Sequence, residues 1–309
     1  MPNRSEITLA DGVRLSVRTR GPADAPVTVI MLHGWCLDRR TWHHQVTALR
    51  QVQPEARIVA YDARGHGRST ATRLASANLD QLGDDLAEVL ARFAPTGPVV
   101  LAGHSMGGMT IMEYAHRHPA DFAARVGGLL FVSTTAEGTT HTHYGLPRHL
   151  AALLRTGETV GTGVLARAGT WRPHRAVLPA LRPPVRWLLF GDVCDPAALE
   201  IAMTGIGRAT LRSIGGFRAS IGTQQRLATL AALAAVPAAV LVGARDRLTP
   251  PVCARSIAEA LPGAELIVCP GAGHMLPLEQ PDVVSAALAA VTRLAAARKF
   301  DDDGYDQAA

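Results

Sequence analysis

Short continuous apolar runs, each closed by a glycine, aspartate or histidine, alternate with longer stretches of helical spacing through the first half of the chain. Val27 to Leu32, Arg57 to Tyr61, Val99 to Ala102 and Leu129 to Val132 carry no polar alternation, which predicts strands covered on both faces. Between them, Leu82, Leu86, Val89, Leu90 and Phe93 recur at helical spacing, predicting a helix over Leu79 to Phe93 that stops before Pro95. A second helix is predicted from Met106 to His118, stopped by Pro119. The opening differs. Ile7-Thr8-Leu9 and Val13 to Val17 flank an Asp11-Gly12 pair, the pattern of a β-hairpin. Strand, helix, strand, helix calls for a parallel sheet with right-handed crossovers.

The alternation lapses between about Glu137 and Val236, where helical segments and Gly/Pro punctuation hold no clear buried strand. It resumes with a strand at Ala239 to Val242, a helix over Pro251 to Leu261, a strand at Glu265 to Cys269 and a terminal helix from Pro281 to Arg298. The expected fold class is therefore α/β, a mostly parallel, doubly wound sheet with an inserted helical cap. Residues 1–136 and 237–300 form the core, and 137–236 form the cap or lid. The acidic stretch 301–309 is expected to be disordered.

Composition narrows the function classes. At 309 residues the chain can bury a large core without staples, and 48% hydrophobic against 18% charged residues excludes disordered and coiled-coil classes. The net charge of +5 comes almost wholly from arginine, Lys299 being the only lysine. No dense basic run marks a nucleic-acid footprint, so no nucleic-acid partner is expected. Cys36, Cys194, Cys253 and Cys269 form no Cys-x-x-Cys pair, and the start lacks an apolar leader. No apolar run is long enough to span a bilayer, since Pro237 interrupts the nearest, Ala228 to Val242. A reduced, cytoplasmic, soluble protein is the expectation.

The sharpest chemical signal is Gly103-His104-Ser105-Met106-Gly107, directly after a predicted strand and directly before a predicted helix. A serine on so tight a turn projects its hydroxyl above the carboxyl ends of the strands, where open α/β sheets bind ligands. The flanking glycines remove side chains that would clash, and the helix start offers backbone N–H groups to a developing oxyanion. A serine capping a helix after a glycine turn would leave the same residues without chemistry. Because a hydroxyl is a weak nucleophile, a base and an orienting acid are needed. His274, in Gly271-Ala272-Gly273-His274-Met275, and Asp246, in Gly243-Ala244-Arg245-Asp246, both follow predicted strands. Taken singly, one would pass for a loop histidine and the other for a helix cap.

The order Ser105, Asp246, His274, with the elbow motif, resembles the α/β-hydrolase superfamily over nearly the whole chain outside the insertion. The resemblance implies an enzyme of the capped serine-esterase type. His33-Gly34-Trp35 is similar to the family's turn after its third strand, which implies an oxyanion hole made by the backbone N–H groups of Trp35 and Met106. Asp62-Ala63-Arg64-Gly65-His66-Gly67-Arg68-Ser69 resembles a structural turn of the family, so Arg64, His66 and Arg68 are not expected to be catalytic. A serine at the elbow disfavours the dehalogenases and epoxide hydrolases of this superfamily, which attack with a carboxylate. Ser133-Thr134-Thr135 at the end of its strand leaves the acid role to Asp246.

These residues point to hydrolysis of a carboxylic ester, lactone or thioester of a small-molecule or acyl substrate, through an acyl-enzyme, with no cofactor. Perhydrolase or haloperoxidase chemistry, C–C bond hydrolysis and a non-catalytic ligand receptor are the alternatives on the same scaffold. Cys36, His104 and Met275, neighbours in the chain of the active-site loops, are candidates for lining the pocket. His141, His143, His149 and His174 in the cap have no accompanying Cys or acidic cluster, so no metal is expected. The cap arginines are read as solvated charge, and oligomeric state stays open.

Overall fold

The computed structural model describes residues 3–297, apart from 96 and 175; the acidic stretch 301–309 and Arg298 lie outside the described residues. In chain order the elements are β1 (Asn3–Thr8), β2 (Arg14–Arg20), β3 (Thr28–Leu32), α1 (His43–Val52), β4 (Arg57–Tyr61), α2 (Leu79–Phe93), β5 (Val99–His104), α3 (Met106–Arg117), α4 (Pro119–Arg125) and β6 (Val126–Val132). Four long helices follow, α5 (Arg148–Arg167), α6 (Leu178–Leu189), α7 (Pro196–Arg208) and α8 (Leu211–Thr223), then the short α9 (Leu227–Ala231). The chain then returns to the sheet through β7 (Ala238–Gly243), α10 (Pro251–Ala260), β8 (Glu265–Cys269), α11 (Leu276–Glu279) and α12 (Pro281–Ala297).

The eight strands form one sheet in the order β1-β2-β4-β3-β5-β6-β7-β8. The β1–β2 hairpin and the β2–β4 pair are antiparallel, and every other pair is parallel. Both faces are covered, which explains the unbroken apolar runs. Ile30, Leu101, Phe131 and Val240 point to the face packed by α2, α3 and α10; Met31, Ala102, Leu130 and Leu241 point to the face packed by α1 and α12. On α2, Leu86, Val89 and Leu90 are fully buried, each contributing about 1.5–3 kcal/mol relative to exposure.

Among the core helices, α1, α4 and the four-residue α11 were not foreseen. In α1 only Gln45 and Leu49 are buried, so the helix has too narrow an apolar stripe to announce itself. At Pro119, read as a stop, the chain starts α4 immediately, because proline at the first helical position needs no N–H partner. Among the described residues no strand lies between β6 and β7. Helices α5 and α8 cross so closely at Gly215 that a Cβ there would fall 2.2 Å from Thr162 O. The apolar side of α6 and α7 packs on Leu37, Met275 and Leu278, so these helices sit over the ends of the strands. Helix α9 is different: its Leu230 is buried in the main core with Phe122 and Val240. Residues 227–236 thus pack with the core, while α5–α8 stand over the site.

Candidate active site

Glycines set the geometry of the elbow. A Cβ on Gly103 would meet the Gly107 and Gly108 backbone at 2.5–2.6 Å, and one on Gly107 would sit 2.3 Å from Leu32 O. Helix α3 can therefore start directly against β3 and β5. Ser105 takes the strain of the turn, with φ 53° and ψ −119°, and is held there by its N–H donating to Val132 O at 3.0 Å. Its carbonyl accepts the Thr134 hydroxyl at 2.8 Å. Ser105 remains partly accessible between fully buried neighbours.

His274 and Asp246 come together at the ends of β8 and β7. The His274 Nδ1–H donates to Asp246 Oδ2 at 2.9 Å, which leaves the Nε2 lone pair free. Asp246 Oδ1 accepts the backbone N–H groups of Leu248 and Thr249, both at 2.9 Å, and Oδ2 also accepts the Thr249 hydroxyl. Burial works to raise the Asp246 pKa, but the His274 charge and these donors outweigh it and hold the carboxyl below its ordinary value. The His274 loop is anchored to the end of α6. His274 and Met275 donate their N–H groups to Leu189 O, while Glu279 Oε2 accepts those of Gly191 and Gly273.

Ser105 lines a narrow cavity of about 70 Å³ with Trp35, Met106, Thr134 and Thr249 among its walls. Thr249 is the link between the two halves of the site, since its hydroxyl bonds Asp246 and lies 3.3 Å from His274 Nδ1. His104 provides a second link: its Nε2–H donates to His274 O at 2.9 Å, and the two rings lie 5.1 Å apart. Among the described residues neither the Trp35 nor the Met106 backbone N–H has a hydrogen-bond acceptor. The turn that carries Trp35 is braced by His33, whose Nε2 accepts the Ala63 N–H and whose Nδ1–H therefore donates to Gly34 O.

Cys36, His104 and Met275 are not among the residues lining this cavity. His104 is fully buried, and burial pushes its pKa down to about 3, so it is a neutral prop under His274. Met275 is fully buried against α6 and α7. Cys36 takes φ 61°, and burial, together with the Glu158 charge, pushes its thiol pKa up, which removes it as a nucleophile. Three residues that sequence reasoning missed stand in the wall instead: Tyr144, Glu158 and Arg218. They come from three separated segments and meet only because α5 and α8 cross.

Arg64 is buried and clamps Asp85 through Nε and Nη2, with Nη1 on Asp11, so its charge is consumed inside the fold. A larger cavity of about 260 Å³, walled by Arg18, Arg20, Arg39, Arg40, Arg68 and Arg208, shares no residue with the Ser105 cavity. Its lining holds no serine or cysteine and no His–carboxylate pair; Asp38 and Asp62 there are engaged by Arg40 and Arg39. Among the described residues no three His, Cys, Asp or Glu side chains converge as a metal site, and His141 lies 3.2 Å from Glu137 alone. The four cysteines are free, and no described helix is long and apolar enough to cross a membrane.

The sequence profile of the alpha/beta hydrolase family matches residues 29–287. The chain is 28% identical over 291 residues to a bifunctional esterase/perhydrolase of Acinetobacter calcoaceticus, covering 93% of this chain and 99% of that protein. It is 27% identical over 283 residues to a monoacylglycerol lipase of Mycolicibacterium smegmatis, covering 88% and 90% of the two chains. A thermophilic esterase from Thermogutta terrifontis superposes with a TM-score of 0.73 at 25% identity, covering 95% of this chain and 99% of the other. The chain belongs to the alpha/beta hydrolase family and is an enzyme of that family.

Proposed function

We propose that the protein is a serine esterase that cleaves small carboxylic esters through Ser105, His274 and Asp246. The observation that carries this reading is Thr249, which borders the Ser105 cavity and also bonds the Asp246–His274 pair. Ser105, strained and accessible, opens into the space bordered by Thr249, which hydrogen-bonds the carboxylate that orients His274. His274 Nε2 removes the Ser105 proton as Oγ attacks the ester carbonyl. The tetrahedral oxyanion is held by the Trp35 and Met106 N–H groups, which have no acceptor inside the described chain. Collapse expels the alcohol, which takes the proton from His274. Water, deprotonated by the same imidazole, then releases the acid and restores Ser105.

Residues 137–226 act as a lid, through α5–α8, and the cavity of about 70 Å³ suits a short acyl group. A lactone or thioester would pass through the same steps. Peroxide in place of water would give perhydrolase chemistry on the same residues, a reading favoured by the similarity to the esterase/perhydrolase of Acinetobacter calcoaceticus. The test is turnover of p-nitrophenyl esters of increasing chain length by the wild type and by Ser105→Ala. Turnover of acetate and butyrate esters, falling with chain length and abolished in Ser105→Ala at unchanged Tm, is the expected result. Retained turnover in that variant would overturn the assignment.

A further inference from the structure

The wall of the Ser105 cavity carries an ion pair. Arg218 on α8 is only 8% exposed, and its Nε and Nη2 grip Glu158 Oε1 and Oε2 at 2.8 and 2.9 Å. The Tyr144 hydroxyl donates to the same Glu158 Oε2. With Arg218 buried and Glu158 26% exposed, the pair is a modest stabiliser, because desolvating the Arg218 charge consumes much of the attraction. Its placement has a consequence for substrate. All three residues line the cavity that Ser105 enters, together with Thr139 and Thr142, while Trp35, Met109 and Ile221 supply the apolar surface.

Hydrogen-bond accounting identifies what the wall can accept. Both Glu158 oxygens are occupied by Arg218 and Tyr144. Arg218 Nη1, beside Gly222, has no acceptor among the described residues, yet it is not among the buried atoms left without a partner. Arg218 thus lines the cavity that Ser105 enters with three of its five guanidinium N–H donors not engaged by Glu158. The charge on Arg218 is already balanced by Glu158, so a carboxylate arriving there meets a neighbouring carboxylate, whereas a neutral oxygen does not. We propose that Arg218, oriented by Glu158 and Tyr144, selects short esters whose acyl chain bears an uncharged hydrogen-bond acceptor, an oxo or hydroxyl oxygen distal to the scissile carbonyl. The inference rests on the serine-esterase reading and names the substrate class of that same site. A site built to bond a substrate oxygen rejects the analogue without it, because its own donors are left unpaired.

The test measures kcat/KM by pH-stat for ethyl butanoate, ethyl 3-hydroxybutanoate, ethyl pentanoate, ethyl 4-oxopentanoate and monoethyl succinate. In the wild type the hydroxy or the oxo ester should exceed its hydrocarbon counterpart by about ten-fold or more, the scale of a hydrogen bond to a charged donor. The double variant Glu158→Gln/Arg218→Met, which removes both charges, should bring that ratio to within about two-fold while still hydrolysing ethyl butanoate. Glu158→Gln alone keeps an acceptor for Arg218 and leaves its charge unbalanced, so turnover of monoethyl succinate should rise by about ten-fold. The wild-type ratios need no variant to fold. Ethyl butanoate turnover without preference for the oxygenated esters overturns this inference and leaves the esterase reading standing. A preference that survives in the folded double variant overturns it as well. Failure to hydrolyse any of the five, with no labelling of Ser105 by a fluorophosphonate, sinks the esterase reading and this one together.

Discussion

Replacing Asp246 by asparagine turns one acceptor oxygen into a donor and disrupts the two hydrogen bonds that oxygen accepts. In the native site the carboxylate receives four donors: two backbone N–H groups on Oδ1, and the Thr249 hydroxyl and His274 Nδ1–H on Oδ2. Asparagine can keep the two backbone bonds through its carbonyl. Its amide then faces His274 Nδ1, and two N–H groups cannot share a bond. The imidazole shifts its proton to Nε2 and accepts from the amide, which leaves it unable to take the proton of Ser105. Catalytic sites of this type typically lose about four orders of magnitude in kcat through such a change, or about 5 kcal/mol of transition-state stabilisation. The stability cost is smaller, about 1–3 kcal/mol, for replacing a charge-assisted hydrogen bond. The acid limb of stability also shifts. Because the Asp246 pKa lies below its ordinary value of 3.8, its contribution is complete above that value and is lost as pH falls through the lower folded value. The Asn variant lacks that loss. The assay is kcat for p-nitrophenyl acetate beside Tm from pH 7 down to pH 3. Activity within ten-fold of wild type in a folded variant would refute the role given to Asp246.

Close packing and burial elsewhere in the site make two more variants informative. A Cβ at Gly34 would lie 2.9 Å from His104 Nδ1 and 3.1 Å from Ser105 Cβ, so Gly34→Ala should displace the nucleophile and lower kcat by about 100-fold; near-native kcat in a folded variant would show that the turn yields instead. Glu279 is pushed up from its ordinary 4.5 by burial, despite the backbone N–H groups of Gly191 and Gly273 that donate to it. An acid whose folded pKa is raised costs stability once it ionises, so thermal stability should fall as pH rises through the range above 4.5. Glu279→Gln, which keeps the acceptor oxygen, should remove that fall, and a Tm-against-pH curve superimposable on wild type would contradict the linkage.

Legibility in the sequence depended on how local the physics was. The strands of the parallel sheet were readable because both faces are buried, so that Ile30 and Met31 are apolar for opposite neighbours. The elbow was readable because its constraint is local: Gly103 and Gly107 must be small for α3 to start beside β3. Helix α1 stayed hidden, since it buries a glutamine, and α4 because proline signals a start as well as a stop. Chain neighbours proved poor guides to the pocket. His104 follows Gly103 into the sheet end and Met275 turns into the packing of α6 and α7. The residues that do wall the cavity, Tyr144, Glu158 and Arg218, are brought together by the crossing of two lid helices, and no local pattern encodes that crossing.

The central claim is that Ser105 is an activated nucleophile, and covalent labelling tests it most directly. Wild-type protein and Ser105→Ala are incubated with a fluorophosphonate and weighed intact, and the adduct is located by peptide mapping. One adduct per chain, on Ser105 in the wild type and absent from the variant, is the predicted result. An unlabelled wild type, or an equal adduct on both proteins, would contradict the assignment of Ser105.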